Sequence, residues 1–192
     1  MQSEEEVIRD ILMRRSRAIE ILYDRHAPFL LGICLRYCGN RPDAEDVLHD
    51  SFIKIMKKLH TFKPRNNGSF TGWMRTIVVN TALNYIRERT KWKKYPLIND
   101  QAVIEDVQED EEGSLEQFFP DITREQVMEM ICRLPLGYRT VFNLYVFEEF
   151  RHKEIAKMLS ISENTSKSQL SKARTMLKKQ IIELVNKEQT IS

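Results

Sequence analysis

Residues 150–179 read FRHKEIAKMLSISENTSKSQLSKARTMLKK, and this stretch decides the fold. Arg151–Leu159 carries Ile155, Ala156 and Leu159 at i, i+1 and i+4, the pattern of a helix that buries one face. Ala156 is small where a second helix has to cross closely. Ser160-Ile161-Ser162 forms the turn, with Ile161 filling its corner. Ser162 is placed to cap the next helix, because its hydroxyl can accept a hydrogen bond from an otherwise unpartnered N–H of the first turn. That helix turns Leu170, Ala173 and Leu177 inward, and Lys167, Ser168, Ser171, Lys172 and Arg174 outward. A helix-turn-helix whose second helix is polar and basic at its start is shaped to enter the major groove of duplex DNA.

Composition extends this reading outward. Gly and Pro number only 6 each in 192 residues, and β-branched runs are scarce, so an all-α protein is expected. The length allows one domain or two small ones. The net charge of +2 conceals unlike parts: residues 99–121 hold nine acidic residues and no Lys or Arg, residues 1–98 carry +7, and residues 123–192 carry +4. Two basic segments flanking an acidic one suggest that the flanks meet a polyanion. No apolar run approaches the roughly 20 residues that span a bilayer, and Gln2–Arg17 is charged throughout, unlike a signal peptide. Three cysteines fit a reducing cytoplasm better than a disulfide scaffold.

Four helical patterns are expected in residues 1–95: Glu4–Arg15, Ala18–Cys38 with Pro28 as a kink or break, Asp43–His60 capped by Asn40 or Asp43, and Thr71–Arg89. Gly39-Asn40 ends the second. Residues 99–122 are acidic and poor in aromatics, which predicts a flexible linker. Thr123–Leu134 resumes a helix, Pro135 and Gly137 break it, and Tyr138–Glu149 precedes the helix-turn-helix. The expected organisation is a helical bundle at 1–98, a linker at 99–122, and a four-helix domain at 123–192.

The fourth helix holds the sharpest pattern. With Trp73 set at zero on a helical wheel, Asn80, Asn84, Arg87 and Lys91 fall within about 40° of it. Met74, Ile77, Val78, Thr81 and Tyr85 make the neighbouring buried stripe. Asn is a poor helix former, so two in one helix interior need a reason. Either the amides serve a buried network and Trp73 belongs to the core, or the row meets a nucleic-acid strand, where aromatic faces stack on bases and cations follow phosphates. On Asp43–Leu59, Val47, Leu48, Ile55 and Leu59 form a core stripe, while Glu45, Asp46, His49, Asp50 and Lys54 face elsewhere. Alone, that is the pattern of a solvated amphipathic helix. Cys34 and Cys38 lie at i, i+4, but no second pair stands at ligand spacing, so buried cysteines are expected and no metal. No nucleophile–base pair, phosphate loop or paired carboxylate points to catalysis, so neither an enzyme nor a cofactor is expected.

Three blocks taken together resemble a known family. GNRPDAEDVLHDSFIKIMKKL (39–59), FKPRNNGSFTGWMRTIVVNTALNYIR (62–87) and LPLGYRTVFNLYVFEEFRHKEIAKMLSISENTSKSQLSKAR (134–174) look like a bacterial RNA polymerase sigma factor of the small extracytoplasmic-function group, which retains only the second and fourth sigma domains. The resemblance spans nearly the whole chain apart from the linker and both termini. Ser160 stands where the turn often has Gly, Ser166 where the second helix often has Val or Ile, and Gln169 where many relatives have Arg.

The resemblance implies a role for each block. The segment with Glu45, Asp46, His49, Asp50, Phe52, Ile53 and Met56 would dock on the clamp helices of the polymerase largest subunit, with Phe52 and Met56 as exposed apolar anchors among acids. Phe62, Lys63, Arg65, Asn66, Asn67, Ser69 and Phe70 would surround the pocket for the flipped minus-ten base. Asn80, Asn84 and Arg87, with Trp73 on the same face, would lie near the junction of duplex and single strands. Lys167, Ser168 and Ser171 would read base edges of the minus-thirty-five element, while Thr165, Lys172 and Arg174 take phosphates. The implied partners are core RNA polymerase (clamp helices and flap), promoter DNA, duplex and single-stranded, and an anti-sigma factor, often membrane-bound. The acidic linker would run toward the polymerase active centre. Two other readings stay open on the residues: a stand-alone DNA-binding regulator, which would need a dimer interface, and a mimic that titrates an anti-sigma factor without touching DNA.

Overall fold

The computed structural model describes residues 3–13, 15–63, 69–92 and 122–191. Among them there are helices and no strand, in two compact units, Met1–Lys93 and Lys94–Ser192.

The first unit contains α1 (Glu4–Leu12), α2 (Ser16–Cys38), α3 (Arg41–Lys58), a 3-10 turn (Leu59–Thr61) and α4 (Phe70–Trp92). Ser3 caps α1, its hydroxyl accepting from Glu6 N–H at 3.2 Å while the Glu6 carboxylate accepts from Ser3 N–H at 2.8 Å. The helix ends at Leu12 rather than continuing to Arg15 as expected. Arg15 instead donates back to Asp10, by backbone at 3.0 Å and by guanidinium at 2.8 Å, and so tightens the corner into α2. Helix α2 runs unbroken through Pro28. Pro28 and Asp24, whose carbonyl loses its partner, both lie on the exposed face, so water can take the place of the missing bond. Gly39 ends α2 at φ 78°, where a Cβ would be strained. Asn40, not Asp43, caps α3, its side-chain oxygen accepting from Asp43 N–H at 3.0 Å.

Helices α2, α3 and α4 pack against one another pairwise, and α1 lies on α2. Leu30, Cys34, Tyr37, Val47, Ile55, Met74, Val78 and Leu83 fill the core between them. Two polar side chains there bond within their own helices: Ser51 donates to the Val47 carbonyl at 2.6 Å and Thr81 to the Ile77 carbonyl at 2.8 Å. Burial pushes the Cys34 thiol up to about 12, and both Cys34 and Cys38 pack as small apolar groups.

The second unit contains α5 (Arg124–Arg133), α6 (Leu136–Phe142), a π turn (Asn143–Phe147), α7 (His152–Leu159) and α8 (Glu163–Ile191). Thr123 and Gln126 form a capping box at the start of α5. Pro135 ends that helix, but α6 begins at once and passes through Gly137, two residues before the expected start at Tyr138. The bare Cα of Gly137 lets the Gln169 amide approach: a Cβ there would sit 3.3 Å from Gln169 Oε1. The buried Arg139 guanidinium donates to the carbonyls of Cys132 at 2.7 Å and Leu134 at 3.1 Å, fixing the α5–α6 corner. Helix α8 packs along α6 and α7 through Leu170, Ala173, Leu177 and Ile181.

The α7–α8 turn carries local strain. Ser160 adopts φ 56°, ψ 44°, and the next N–H, of Ile161, donates to the Ala156 carbonyl at 3.0 Å. A left-handed residue with a Cβ costs roughly 1 kcal/mol relative to glycine. Ser160→Gly is therefore expected to stabilise this unit by about 0.5–1 kcal/mol in urea unfolding, and a decrease would show that the serine side chain is needed there.

Candidate nucleic-acid and polymerase interface

The N-terminal half of α8 is built from its cap upward. The Ser162 hydroxyl accepts from Thr165 N–H at 2.9 Å and lies 2.8 Å from the Thr165 hydroxyl. Lys167, Ser171 and Arg174 are exposed, and Thr165, Ser168 and Lys172 are half-buried. The Lys167 ammonium lies 3.4 Å from the Glu163 carboxylate one turn back, an exposed pair of little energy that an anion can displace. Gln169 turns toward α6 rather than joining the exposed row. Ser166 is fully buried, and its hydroxyl lies 2.9 Å from His152 Nδ1 at the start of α7. The His152 ring stacks on Tyr145, with centroids 4.6 Å apart and planes at 21°, and the Arg174 guanidinium sits 5.9 Å from the Tyr145 centroid. Burial, then the charge of Lys167, lower the His152 pKa, against an opposing pull from Glu163 and with a smaller push from Arg174.

In the first unit, Asn80, Asn84 and Arg87 are exposed along α4. Arg87 donates to the Asn84 side-chain oxygen at 2.8 Å, which pre-orients both. The reading of these amides as members of a buried network is thereby set aside. Trp73 is half-buried: it stacks on Phe70 (5.6 Å, 21°) and tilts against Phe62 (5.3 Å). Phe62 is half-buried and Lys63 exposed. Arg65, Asn66, Asn67 and the side chain of Lys91 lie outside the described residues, as does nearly all of the 99–122 linker. Ser69 is exposed, but its hydroxyl accepts from Gly72 N–H at 3.1 Å and so caps α4.

Two residues need correction. Phe70 is only 2% exposed, set against Phe62, Trp73 and the edge of His26. It is core, and supports the aromatic pair rather than presenting its own face to a base. Phe52 is 7% exposed and packs against Tyr23 at 4.7 Å, so it is no exposed anchor. A helical wheel cannot tell a ring covered by a neighbouring helix from one left open. The open apolar groups on these two helices are Ile53 on α3 and Ile19, Tyr23 and Phe29 on α2, with Met56 half-buried. Ile19 and Tyr23 were missed, although their i, i+4 spacing off the buried stripe was a usable signal. Glu45, Asp46, His49 and Asp50 are exposed on α3, the helix that also carries Ile53.

The end of α4 is tied to the start of α3. Arg89 bonds both the Asp43 carboxylate and the Tyr85 hydroxyl, and Asn40 donates to Asp43 at 2.8 Å. Burial would raise the Asp43 pKa, but hydrogen bonds from Arg89, Asn40 and Tyr85 outweigh it and hold the group at about 2. Burial and the neighbouring Asp43 push Tyr85 up to about 12. A carboxyl with a lowered folded pKa adds stability that is complete well above its ordinary 3.8 and is lost as pH falls toward about 2. Discounted for the 44% exposure of Arg89, Asp43→Asn is expected to cost about 1 kcal/mol at pH 7 and to flatten acid unfolding between roughly pH 4 and 2. An unchanged acid transition would place that pH dependence elsewhere.

The profile of Sigma-70 region 2 matches residues 22–91, and that of Sigma-70 region 4 matches residues 124–177. Together they span more than half of the chain, one in each unit. Among curated proteins, the chain is 23% identical to the RNA polymerase sigma-H factor of Pseudomonas aeruginosa, over 93% of each chain. It is 27% identical to the ECF RNA polymerase sigma-E factor of Haemophilus influenzae, over 86% of this chain and 88% of that one. It is also 28% identical to the ECF RNA polymerase sigma factor SigW of Bacillus subtilis, over 85% and 88%. A solved structure of the sigma factor RpoE in complex with the anti-sigma factor NepR from Bartonella quintana aligns at a TM-score of 0.47 and 20% identity, covering 84% of this chain and 95% of that one. That likeness adds nothing to the two region profiles.

Proposed function

The chain belongs to the extracytoplasmic-function group of RNA polymerase sigma factors, and from that premise we propose how its residues divide the work. The apolar side chains Ile19, Tyr23, Ile53 and Met56, with Glu45, Asp46, His49 and Asp50 of α3, dock on a basic coiled coil of core polymerase. The apolar groups supply affinity and the acids set the register. Residues 123–192 place the exposed face of α8 in the major groove of the minus-thirty-five element, where Lys167, Ser168 and Ser171 read bases and Thr165, Lys172 and Arg174 hold phosphates.

The row of Trp73, Asn80, Asn84 and Arg87 holds the upstream edge of the melted minus-ten region, with Phe62, Lys63, Arg65, Asn66, Asn67 and Ser69 around a flipped base. Nucleotidyl transfer belongs to the polymerase, in the cytoplasm where the chromosome lies. An anti-sigma factor that covers the same docking surfaces keeps the protein idle.

The observation that carries this reading is the exposed row on α4 in a chain that also holds a basic helix-turn-helix. A stand-alone regulator has no use for that row, and a mimic of sigma has no use for either. Run-off transcription from the DNA upstream of the gene for this chain, with core polymerase from a related bacterium, tests it. Specific initiation is expected only when the chain is added. Tight promoter binding without polymerase, and no transcript gained with it, would favour a stand-alone regulator.

A further inference from the structure

Ser166, between Thr165 and Lys167 on α8, is fully buried. A buried hydroxyl without a partner is costly, and the partner it has is His152 Nδ1 at 2.9 Å. His152 opens α7 and is itself fixed by its stack on Tyr145. Arg174 lies over the same Tyr145 ring, so one ring pair contacts α8 at two points, about two turns apart. An apolar contact at position 166 would tolerate small rotations and slides of α8. A hydrogen bond is directional and would not.

We propose that His152 is a positioning residue for promoter reading: through Ser166 it sets where Lys167, Ser168 and Ser171 meet the base edges of the upstream element. The inference rests on the reading of α8 as the minus-thirty-five reader. Base contacts work only when donors are held to within about 0.5 Å, and Ser166 is next in sequence to the first of those donors. His152 itself touches no DNA in this scheme.

The test uses holoenzyme formed from the full chain and core polymerase, measured on promoters with an intact or a scrambled upstream element. His152→Phe keeps a ring for the Tyr145 stack and removes the group that Ser166 needs. It is expected to lower the intact-to-scrambled preference roughly tenfold, the effect of about one hydrogen bond. The slope of log affinity against log salt, which counts phosphate contacts, is expected to stay unchanged. Combining His152→Phe with Ser166→Val pairs two apolar groups and is expected to recover most of the folded stability but not the full preference. A general structural role would instead restore both together.

If His152→Phe folds poorly, Ser166→Ala asks the same question with a smaller change and is expected to move the preference in the same direction. Equal loss on intact and scrambled DNA, or no loss in either variant, would overturn the assignment. If wild-type holoenzyme itself shows no preference, the reading of α8 fails and takes this inference with it. A preference in wild type that survives in both variants removes only the role of His152.

Discussion

Alanine at Asn80, Asn84 and Arg87 together is expected to lower run-off transcription from a fully duplex promoter about a hundredfold, and from a template with a pre-opened bubble by less than about tenfold. The magnitude follows from what the three side chains can offer a strand: two neutral hydrogen bonds of about 0.5–1 kcal/mol each and one charged contact of about 1.5–3 kcal/mol. Their sum runs from about 2.5 to about 5 kcal/mol, and 1.4 kcal/mol is a factor of ten, so about a hundredfold is the lower end. All three are exposed on α4, so the substitution opens no cavity. Alanine is the better helix former by up to about 0.7 kcal/mol per residue, so the melting temperature should hold or rise while activity falls. That combination separates loss of contact from loss of fold. Equal decreases on duplex and pre-opened templates would instead assign the row to polymerase binding.

The second large effect is on stability. Phe70→Ala is expected to destabilise the first unit by about 3–4 kcal/mol in urea unfolding, the range for removing a buried phenyl ring. Phe70 is 2% exposed and contacts Phe62, Trp73 and His26, so its loss leaves a cavity under two rings of the candidate strand-binding surface. Phe70→Leu keeps most of the volume and is expected to cost only about 1–1.5 kcal/mol. At a temperature where that variant is fully folded, its transcription should stay within about threefold of wild type. A large loss of transcription with unchanged stability would return Phe70 to the residues that meet DNA.

These two experiments mark where reading the chain sufficed. The row of Asn80, Asn84 and Arg87 was legible because a helix has one period, and exposed polar residues at its spacing fall on one face wherever the helix packs. The cap of Ser162 on α8 was legible for a similar reason: it depends on residues three apart. Phe52 and Phe70 were misread because much of their cover comes from other segments, Tyr23 on α2 for the one, and His26 on α2 and Phe62 ahead of α4 for the other. Ser69 was expected only beside the flipped base, and its hydroxyl also caps α4. The early end of α1 likewise came from a bond that reaches back from Arg15 to Asp10, which no helical period contains.

The amino-acid sequence by itself determined that this is a helical protein with a basic helix-turn-helix at one end, because periodicity, caps and charge are properties of neighbours along the chain. Only the tertiary structure decided which aromatic rings are open, that Arg89 ties α4 to α3 through Asp43, and that a buried Ser166 answers to His152 fourteen residues away. Burial and pairing between helices depend on which surfaces meet after folding, and a one-dimensional pattern records a face but not what covers it.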